Sequence, residues 1–428
     1  MKVLYLKYWR ESVHDWFYIF NREILQVIHD GGALLFFIFL PLGYPILYGL
    51  IYTTETVHNV PIVIVDEDRS AASREYLRKI DATADVRIVS DCPNMEEAKE
   101  MLRRREAYGI VYIPRTFDHD LADRKPTYVG VYCDMSSLLY YKSLLTANTN
   151  VSLDMNADIK VSQAGNYTDK QDQVTRQAIA YETVNQYNPQ TGMATFILPA
   201  VLILILQQSF LLGIGLLAGT ARENNRMHEL LPVERHNHGL LRIVFGKSAV
   251  YLTIYCVQTV YCLGIIPHLF MLPQIGNPLT LFFFLTPFML SVVFFGMTLS
   301  TLIRERENVI LVIVFTSLIL LFISGISWPA PAIPKFWKTI SYLFPSTFGI
   351  NGFVRINTMG ADLLAVRREW DALWMLTAFY FFTACLCYRF KILRARLRTY
   401  HSYLDERRMR TSPDAANALE ATAEANEN

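Results

Sequence analysis

The residues that could do chemistry are few in this chain, and most of them lie in one polar stretch. The acidic cluster Asp66-Glu67-Asp68 offers carboxylates that could bind a cation, and His119 stands between two aspartates. A solvated turn between a strand and a helix accounts for the acidic cluster better, and a polar loop accounts for His119. The sequence contains no glycine-rich phosphate loop, no His–Glu pair at metal-binding spacing and no serine elbow. We therefore predict no catalytic, metal-binding or cofactor-binding residues in this chain.

The cysteines and one further histidine are the remaining reactive groups. Cys92 and Cys133 lie outside the apolar segments and could form a disulfide in an oxidising compartment. Cys133 ends a predicted strand, so burial as a free thiol accounts for it about as well. The other four cysteines lie in apolar segments, where they act most simply as small apolar side chains. His268 lies beside Pro267 at the end of such a segment, which is typical of an interfacial polar residue rather than of a catalytic one.

Six apolar segments must position everything else in the chain. They are residues 32–52, 193–219, 243–270, 281–303, 309–327 and 371–390. A helix of about 20 apolar residues crosses a hydrocarbon core about 30 Å thick, and charged side chains lie only towards the ends of these segments. The composition agrees, since 52% of the residues are hydrophobic and only 18% are charged. The sequence therefore predicts a polytopic α-helical membrane protein with six transmembrane helices.

The distribution of Lys and Arg predicts how these helices are oriented. Basic residues cluster before the first segment, after the second, after the fourth and after the sixth, whereas the short connection 271–280 has none. By the positive-inside rule, both termini are cytoplasmic and residues 53–190 lie outside. The connection 328–370 must then also lie outside, although it carries five basic residues. The net charge of +1 offers no strong field for nucleic acid, so we expect no nucleic-acid binding.

Two cytoplasmic segments flank the membrane part. Residues 1–31 carry apolar side chains at helical spacing, with Asp15, Arg22 and Glu23 elsewhere on the helix. This pattern predicts an amphipathic helix over about 5–29 that lies in the membrane interface. Residues 396–428 are predicted to be a cytoplasmic tail, disordered from about residue 404, where large apolar side chains become rare.

The polar residues 53–190 carry a pattern of their own. Strands are predicted at 60–65, 86–89, 108–113 and 128–133, and helices at about 70–80, 94–105, 136–160 and 170–190. Strands that alternate with helices predict a mixed sheet covered by helices. We expect an extracytoplasmic mixed α/β domain, inserted between the first transmembrane helix at 32–52 and a five-helix bundle at 191–395.

The cytoplasmic loop 220–242 is the first of two informative connections in that bundle. Its first part is predicted to be a short charged helix that ends at Pro232 and could dock into the groove of a partner. The candidate contact residues are Arg222, Glu223, Arg226, Glu229, Leu230 and Pro232. An ordinary solvated connector is the alternative interpretation of the same residues.

The external segment 324–350 is the second informative connection. Its marked residues are Ser324, Gly325, Trp328, Pro329, Pro334 and Pro345. Proline and glycine at this density cannot continue a straight helix. Non-helical backbone at membrane depth is tolerated only where it is buried in protein or faces a water-filled path. We predict short broken helices that form a re-entrant lid over a pathway.

Together these features resemble a known family. The chain has the layout of one helix, an insertion and five helices. It also has an Arg-Glu pair and a Glu-Leu-Leu-Pro sequence within 222–232, and Ser-Gly-Ile-Ser-Trp-Pro and Leu-Phe-Pro-Ser-Thr sequences within 324–347. This combination resembles the permease subunit of type-2 ABC exporters. It is most similar to the branch with a large extracytoplasmic domain after the first span, which includes bacterial multidrug efflux permeases. The resemblance covers about residues 5–395.

The resemblance implies a multi-pass protein of the bacterial inner membrane that exports drugs, lipids or glycans. It implies separate ABC ATPase subunits that bind ATP and Mg²⁺, because this chain has no Walker sequence and is not itself an enzyme. It also implies a second permease subunit, identical or homologous, with membrane lipids and a periplasmic adaptor protein as further candidate partners. Two other functions stay open: a membrane-anchored receptor or scaffold that acts through its external domain, and an intramembrane transferase.

Overall fold

The computed structural model describes residues 2–165, 168–177, 179, 183–223, 240–302, 305–325 and 327–410, with side chains from residue 13 to residue 393. These residues fall into two compact units, one within Met1–Thr53 and Gly192–Asn428, the other within Thr54–Thr191. The first unit is helical, and the second contains all of the described strands. Each unit is described by itself below.

The chain begins with two successive helices that meet at an aspartate. Helix α1 spans Lys2–His29, and helix α2 spans Gly31–Ile51 with a π-helical turn at Leu35–Phe39. Asp30 ends the first helix and caps the second, since its Oδ1 accepts hydrogen bonds from the backbone N–H groups of Gly32 and Ala33 at 3.0 Å each. The cap lets the chain change direction without leaving these N–H groups unpaired.

The second unit is built on a four-stranded mixed sheet. Strands β1 (Val60–Asp66), β2 (Val86–Asp91), β3 (Gly109–Ile113) and β4 (Gly130–Cys133) lie in the order β2-β1-β3-β4. Strand β1 pairs in parallel with β2 and β3, and β3 pairs antiparallel with β4. Apolar residues of β1 and β3 point alternately to the two faces of the sheet, so each face has its own buried cluster.

Five helices accompany the sheet. They are α3 (Ala71–Asp81), α4 (Met95–Arg103), α5 (Phe117–Ala122), α6 (Leu138–Ala164) and α7 (Asp169–Arg176). Side chains of Ser70 and Asn94 cap α3 and α4 by accepting from the N–H groups of Ser73 and Glu97. Lys79 of α3 donates to Asp154 and Asp158 of α6 at 2.8 and 2.9 Å, which lowers the pKa of Asp158 below its usual value.

The helix predicted for about 170–190 was too long. Helix α7 ends at Arg176, and among the described residues of 183–192 the backbone forms turns rather than a helix. Asn188, Pro189 and Gly192 explain the difference, because each of them favours a turn over a continuing helix. His119, predicted to lie in a loop, belongs instead to the short helix α5.

The disulfide considered between Cys92 and Cys133 is not formed, and both thiols are free. Cys92 follows β2 at one edge of the sheet and packs in the cluster of one face, whereas Cys133 ends β4 at the other edge and packs against the opposite cluster. Three strand spacings of about 4.8 Å separate these edges, beyond the reach of a disulfide. Burial raises the pKa of both thiols.

The first unit continues with four long helices and a segment of short ones. The long helices are α8 (Met193–Glu223), α9 (Leu240–Leu269), α10 (Pro278–Leu302) and α11 (Arg306–Ile323). A 3₁₀ turn at Ala330–Ala332 precedes α12 (Lys335–Ser341), α13 (Pro345–Asn357) and the last helix, α14 (Arg367–Arg410). The tail was predicted to lose structure near residue 404. The helix instead reaches Arg410, because the sequence contains no proline or glycine between residues 391 and 410.

The six predicted membrane segments are confirmed as helices. Six helices of the described chain are long and apolar enough to cross a membrane, namely α2, α8, α9, α10, α11 and the first part of α14 to Leu393. Helix α8 is central, and its most apolar stretch is 94% buried against the other helices. The apolar stretches of α2 and α11 are only 22% buried, so they present most of their surface outward. The chain is a polytopic membrane protein.

Helix α13 packs closely on α10 because of two glycines. A Cβ atom at Gly352 would lie 2.1 Å from the ring of Phe284, and one at Gly349 would lie 2.6 Å from the ring of Phe288. Any larger residue at these positions would require the aromatic ring or the helix to shift. The sequence between α11 and α14 thus folds as broken helices, with its second half buried in the bundle.

Candidate functional site

The predicted coupling residues divide between described and undescribed parts of the chain. Arg222 and Glu223 form the last turn of α8, whereas Arg226, Glu229, Leu230 and Pro232 lie outside the described residues. Arg222 and Glu223 were expected on a separate short helix. They instead continue a membrane-spanning helix, so any force applied to the loop after residue 223 reaches α8 directly.

Arg222 holds the end of α10. Its Nη2 donates to the backbone carbonyl oxygens of Ser300 and Thr301 at 2.7 and 3.2 Å. The last carbonyl groups of a helix have no partner within the helix and carry the negative end of its dipole. A guanidinium at this position donates hydrogen bonds to these carbonyl groups and balances the negative end of the dipole.

Glu223 holds the beginning of α11. Its Oε1 accepts a hydrogen bond of 2.7 Å from the backbone N–H of Arg306, the first residue of that helix. A carboxylate at a helix N-terminus is stabilised by the unpaired N–H groups and by the dipole. The adjacent residues Arg222 and Glu223 therefore secure the end of α10 and the beginning of α11.

Arg306 extends these contacts to the junction of α1 and α2. Its Nη2 lies 3.5 Å from Oδ1 of Asp30, whose side chain is only 8% exposed. The approach depends on Gly32, because a Cβ atom there would lie 1.9 Å from the same Nη2 atom. The aspartate that caps α2 is thus also paired with α11.

A buried ion pair joins α1 to α9. Nζ of Lys247 lies 2.5 Å from Oε2 of Glu23, and each side chain is only 2% exposed. The hydroxyl of Tyr251 donates to the other carboxylate oxygen. Both oxygens of Glu23 are therefore paired, as a buried carboxylate requires.

This ion pair adds to the prediction for α1, which placed Glu23 away from the apolar side of an amphipathic helix and gave it no partner. Glu23 lies between Ile19 and Val27 on the side of α1 that is buried against the bundle. The apolar residues Phe17, Leu25 and Ile28 are more than half exposed and face away from it. The helix therefore packs through a mixed face and leaves these apolar side chains exposed on its other side.

A more accessible ion pair supports the same contact nearer the start of α1. Nη1 of Arg242 lies 2.9 Å from Oδ2 of Asp15, and both side chains are about one-fifth exposed. We call the set of groups at this end of the bundle the basal network. It consists of Asp15, Glu23, Asp30, Arg222, Glu223, Arg242, Lys247, Tyr251 and Arg306. The network connects α1, α2, α8, α9, α10 and α11.

The predicted lid residues divide into exposed and structural positions. Trp328 is 58% exposed, so its ring is not inserted into the described bundle. Gly325 has a φ of +88°, which only glycine adopts without strain. Ser324 follows α11, Pro329 precedes the 3₁₀ turn, Pro334 precedes α12, and Pro345 is the first residue of α13. They set the breaks between the short helices.

One buried hydrogen bond links this segment to the centre of the bundle. Nε2 of Gln207 in α8 donates to the hydroxyl of Ser346 in α13 at 3.1 Å, and both residues are buried. A polar contact between membrane helices resists separation because each partner would otherwise be left unpaired in an apolar medium. Helix α8 therefore contacts the basal network at one end and α13 in its middle.

The acidic cluster of the second unit has a structural role. Asp66 accepts hydrogen bonds from the N–H groups of Asp68 and Arg69 and, at 2.7 Å, from the hydroxyl of Ser73. This is the expected pattern of a turn between β1 and α3. Within the described part of the chain, no group of three or more His, Cys, Asp or Glu side chains could hold a metal ion.

Sequence reasoning missed several residues of this site. Lys247 was counted only as a flanking positive charge, although its position inside an apolar segment was a signal that it has a buried partner. The consecutive glutamines 207 and 208 within the second apolar segment likewise indicated a buried polar partner, which for Gln207 is Ser346. Nothing local in the sequence pairs Asp30 with Arg306.

Comparisons with known proteins agree with this architecture. The sequence profile described as "ABC-2 family transporter protein" matches residues 32–386. The chain is 25% identical over 341 residues to the linearmycin resistance permease protein LnrN of Bacillus subtilis, covering 72% of this chain and 83% of that protein. It is 20% identical over 363 residues to the probable multidrug ABC transporter permease YbhR of Escherichia coli K12, covering 85% and 94% of the two chains.

Proposed function

The chain belongs to the ABC-2 family of transporter proteins, and from this premise we propose that it is the transmembrane permease subunit of an ATP-driven exporter. The family implies an ABC ATPase partner. In this proposal ATP and Mg²⁺ bind to that partner, and the chain converts closure of the ATPase into movement of its helices. A second permease subunit, identical or homologous, completes the pathway.

The basal network is the observation that carries this proposal. The connection 224–239 follows α8 directly after Arg222 and Glu223, the two residues that hold the end of α10 and the beginning of α11. A push on this loop therefore reaches three membrane helices through two adjacent side chains. The buried Glu23–Lys247 pair adds α1 and α9, because separation of the two charges in this environment is unfavourable.

The Gln207–Ser346 hydrogen bond gives the movement a route to the other end of the bundle. Helix α8 is one continuous element from Met193 to Glu223, so a displacement at Glu223 shifts Gln207 as well. Gln207 in turn contacts α13, the buried part of the segment 324–350. We propose that this segment is an external lid, which opens when α8 moves.

The substrate class is proposed from the names of the relatives. One of them is named for linearmycin resistance and another for multidrug transport. We propose that the chain exports an amphipathic compound such as a drug, a lipid or a glycan, outward across a bacterial inner membrane. A periplasmic adaptor protein is a further proposed partner.

Our first prediction concerns orientation. A single cysteine at Asp123, in a chain without its native cysteines, should react with a membrane-impermeant maleimide added to intact cells, because Lys and Arg place residues 53–190 outside. A single cysteine at Asn237 should react only after the membrane is permeabilised. Mass tagging of the purified chain measures how far each of the two cysteines has been labelled. Labelling of Asn237 alone in intact cells would reverse the proposed orientation.

Our second prediction concerns the lid. Trp328→Ala should lower export at least about tenfold, because a large apolar side chain that is buried in only one of two states contributes about 1.5–3 kcal/mol, and about 1.4 kcal/mol corresponds to a factor of ten. Co-purification with the ATPase should be unchanged. Phe336→Ala is the matched control, since Phe336 is 67% exposed on the neighbouring α12. Full export by Trp328→Ala would remove this ring from the proposed mechanism.

A further inference from the structure

A polar cleft lies beside the basal network, where α1 ends and α2 and α11 begin. Its volume is about 510 Å³. The residues that line it are Arg22, Leu25, Gln26, His29, Asp30, Gly31, Leu217, Thr220, Ala221 and Arg306. Neither the ion pairs nor the hydrogen bonds of the basal network fill this space, so the cleft can admit a ligand.

The cleft combines positive charge with two unsatisfied oxygen atoms. Arg22 and Arg306 supply guanidinium groups, and they outnumber the single carboxylate of Asp30. Among the described residues, neither Oδ2 of Asp30 nor the hydroxyl of Thr220 has a hydrogen-bond partner, although both atoms are buried. A buried carboxylate oxygen without a donor is costly. The cleft can therefore accommodate a ligand that brings N–H or O–H donors as well as negative charge.

We propose that this cleft binds the headgroup of an aminophospholipid from the cytoplasmic leaflet, such as phosphatidylethanolamine. The phosphate accepts hydrogen bonds from Arg22 and Arg306, because guanidinium groups form strong, charge-assisted hydrogen bonds with phosphate. The primary ammonium group donates to Oδ2 of Asp30 and to the hydroxyl of Thr220. The negative phosphate then faces the two guanidinium groups of the cleft, and the positive ammonium group faces its carboxylate.

A membrane lipid fits better than a soluble phosphate because of the surroundings of the cleft. Leu25 and Leu217 line it beside the charged residues, and Leu25 is 54% exposed. Helix α1 also exposes Phe17 and Ile28, which favours a position at the membrane surface. The assignment to the cytoplasmic leaflet rests on the orientation in our proposed function.

Native mass spectrometry of the purified full-length chain tests this proposal without an ATPase or a substrate. The chain is stripped of lipid and then offered phosphatidylethanolamine, its N-methylated forms, phosphatidylcholine and phosphatidylglycerol with identical acyl chains. We expect one phosphatidylethanolamine per chain, retained about tenfold more tightly than phosphatidylcholine, because trimethylation removes every N–H donor. Equal retention of these two lipids by the native chain would overturn the proposal.

Asp30→Asn isolates the recognition of the ammonium group. Asparagine keeps an oxygen that caps α2, so the fold is expected to survive. The amide replaces Oδ2 by a donor, and the preference for phosphatidylethanolamine over phosphatidylcholine should disappear. Asp371→Asn makes the same charge change at an exposed position of α14 outside the cleft, and it should keep the preference. An undiminished preference in Asp30→Asn would place the lipid elsewhere and reject this site.

Two further variants test the phosphate contact and the space itself. Arg22→Gln should weaken retention of all the phospholipids alike, whereas Arg389→Gln, at an exposed arginine away from the cleft, should not. A Cβ atom at Gly31 meets no atom within 4 Å, so Gly31→Leu can fill the cleft without a clash at the backbone. It should abolish the retained lipid.

A competition experiment separates the lipid from its soluble headgroup. Glycerophosphoethanolamine should not displace the retained lipid at equal concentration, because it lacks acyl chains to contact the apolar rim. Displacement at equal concentration would mean that a free phosphate ester, not a membrane lipid, is the ligand. Failure of any of these tests leaves the proposed coupling to an ATPase untouched, because none of them involves ATP.

Discussion

Replacement of Lys247 by methionine should destabilise the membrane unit by about 3–5 kcal/mol, which is the usual cost of removing one partner of a buried ion pair. The side chain of Glu23 is 2% exposed and would keep only the hydrogen bond from Tyr251. The charge that remains would be buried at the contact between α1 and α9. Titration of the purified chain with a denaturing detergent measures the loss as a fall in the free energy of unfolding.

The double variant Glu23→Met with Lys247→Met distinguishes the loss of the whole ion pair from the cost of leaving one buried charge unpaired. Removal of both charges leaves only the neutral hydroxyl of Tyr251 without its acceptor, so most of the lost stability should return. Lys335→Met is the control, because Lys335 is exposed on α12. A loss below about 1 kcal/mol for Lys247→Met, the range of exposed pairs, would contradict a buried coupling between α1 and α9.

The second large effect is expected at the loop between α8 and α9. Glu229→Lys should weaken association with the ABC ATPase about tenfold or more and remove substrate-stimulated ATP hydrolysis. The proposed contact is a partly desolvated charge pair at a protein interface, which is worth a few kcal/mol. Glu229 lies outside the described residues, so this prediction rests on the sequence of the loop. Gel filtration of the complex and a phosphate-release assay measure the two effects.

Glu223 needs a gentler substitution than Glu229. Its carboxylate accepts the N–H of Arg306, so a lysine there would disturb the start of α11 in addition to any partner contact. Glu223→Gln keeps an acceptor at the same position and removes only the charge. If Glu223 acts mainly within the chain, Glu223→Gln should bind the ATPase normally. If it also meets the partner, this variant should weaken binding as Glu229→Lys does.

The membrane helices were predictable because their signal is local. An apolar segment of about 20 residues has few alternatives to a membrane helix, so the six segments of this chain correspond to α2, α8, α9, α10, α11 and α14. The boundaries differ by a few residues, since polar end residues such as Arg222 and Glu223 continue the helix when the neighbouring helix ends satisfy them. The glycines and prolines of 324–350 likewise predicted broken helices.

The basal network was not predictable because its contacts are distant in sequence. Glu23 and Lys247 are 224 residues apart, and Glu223 and Arg306 are 83 residues apart. Periodicity placed Glu23 on a polar face, and only the packing of α1 on α9 shows that this face is buried. Charges near the ends of apolar segments indicate orientation, but they do so whether they face water or a buried partner, and so they do not reveal the partner.

The central claim is that this chain is the permease of an ABC ATPase, and purification of the native complex tests it most directly. The full-length chain, affinity-tagged and expressed at its natural level, is isolated in mild detergent from its own membranes and assayed for ATP hydrolysis. We expect an ABC ATPase to co-purify in fixed stoichiometry and to hydrolyse ATP, and we expect Glu229→Lys to lose both. A native chain that purifies without any ATPase, or a Glu229→Lys chain that retains full hydrolysis and export, would contradict this account. The first of these results would favour a membrane-anchored receptor.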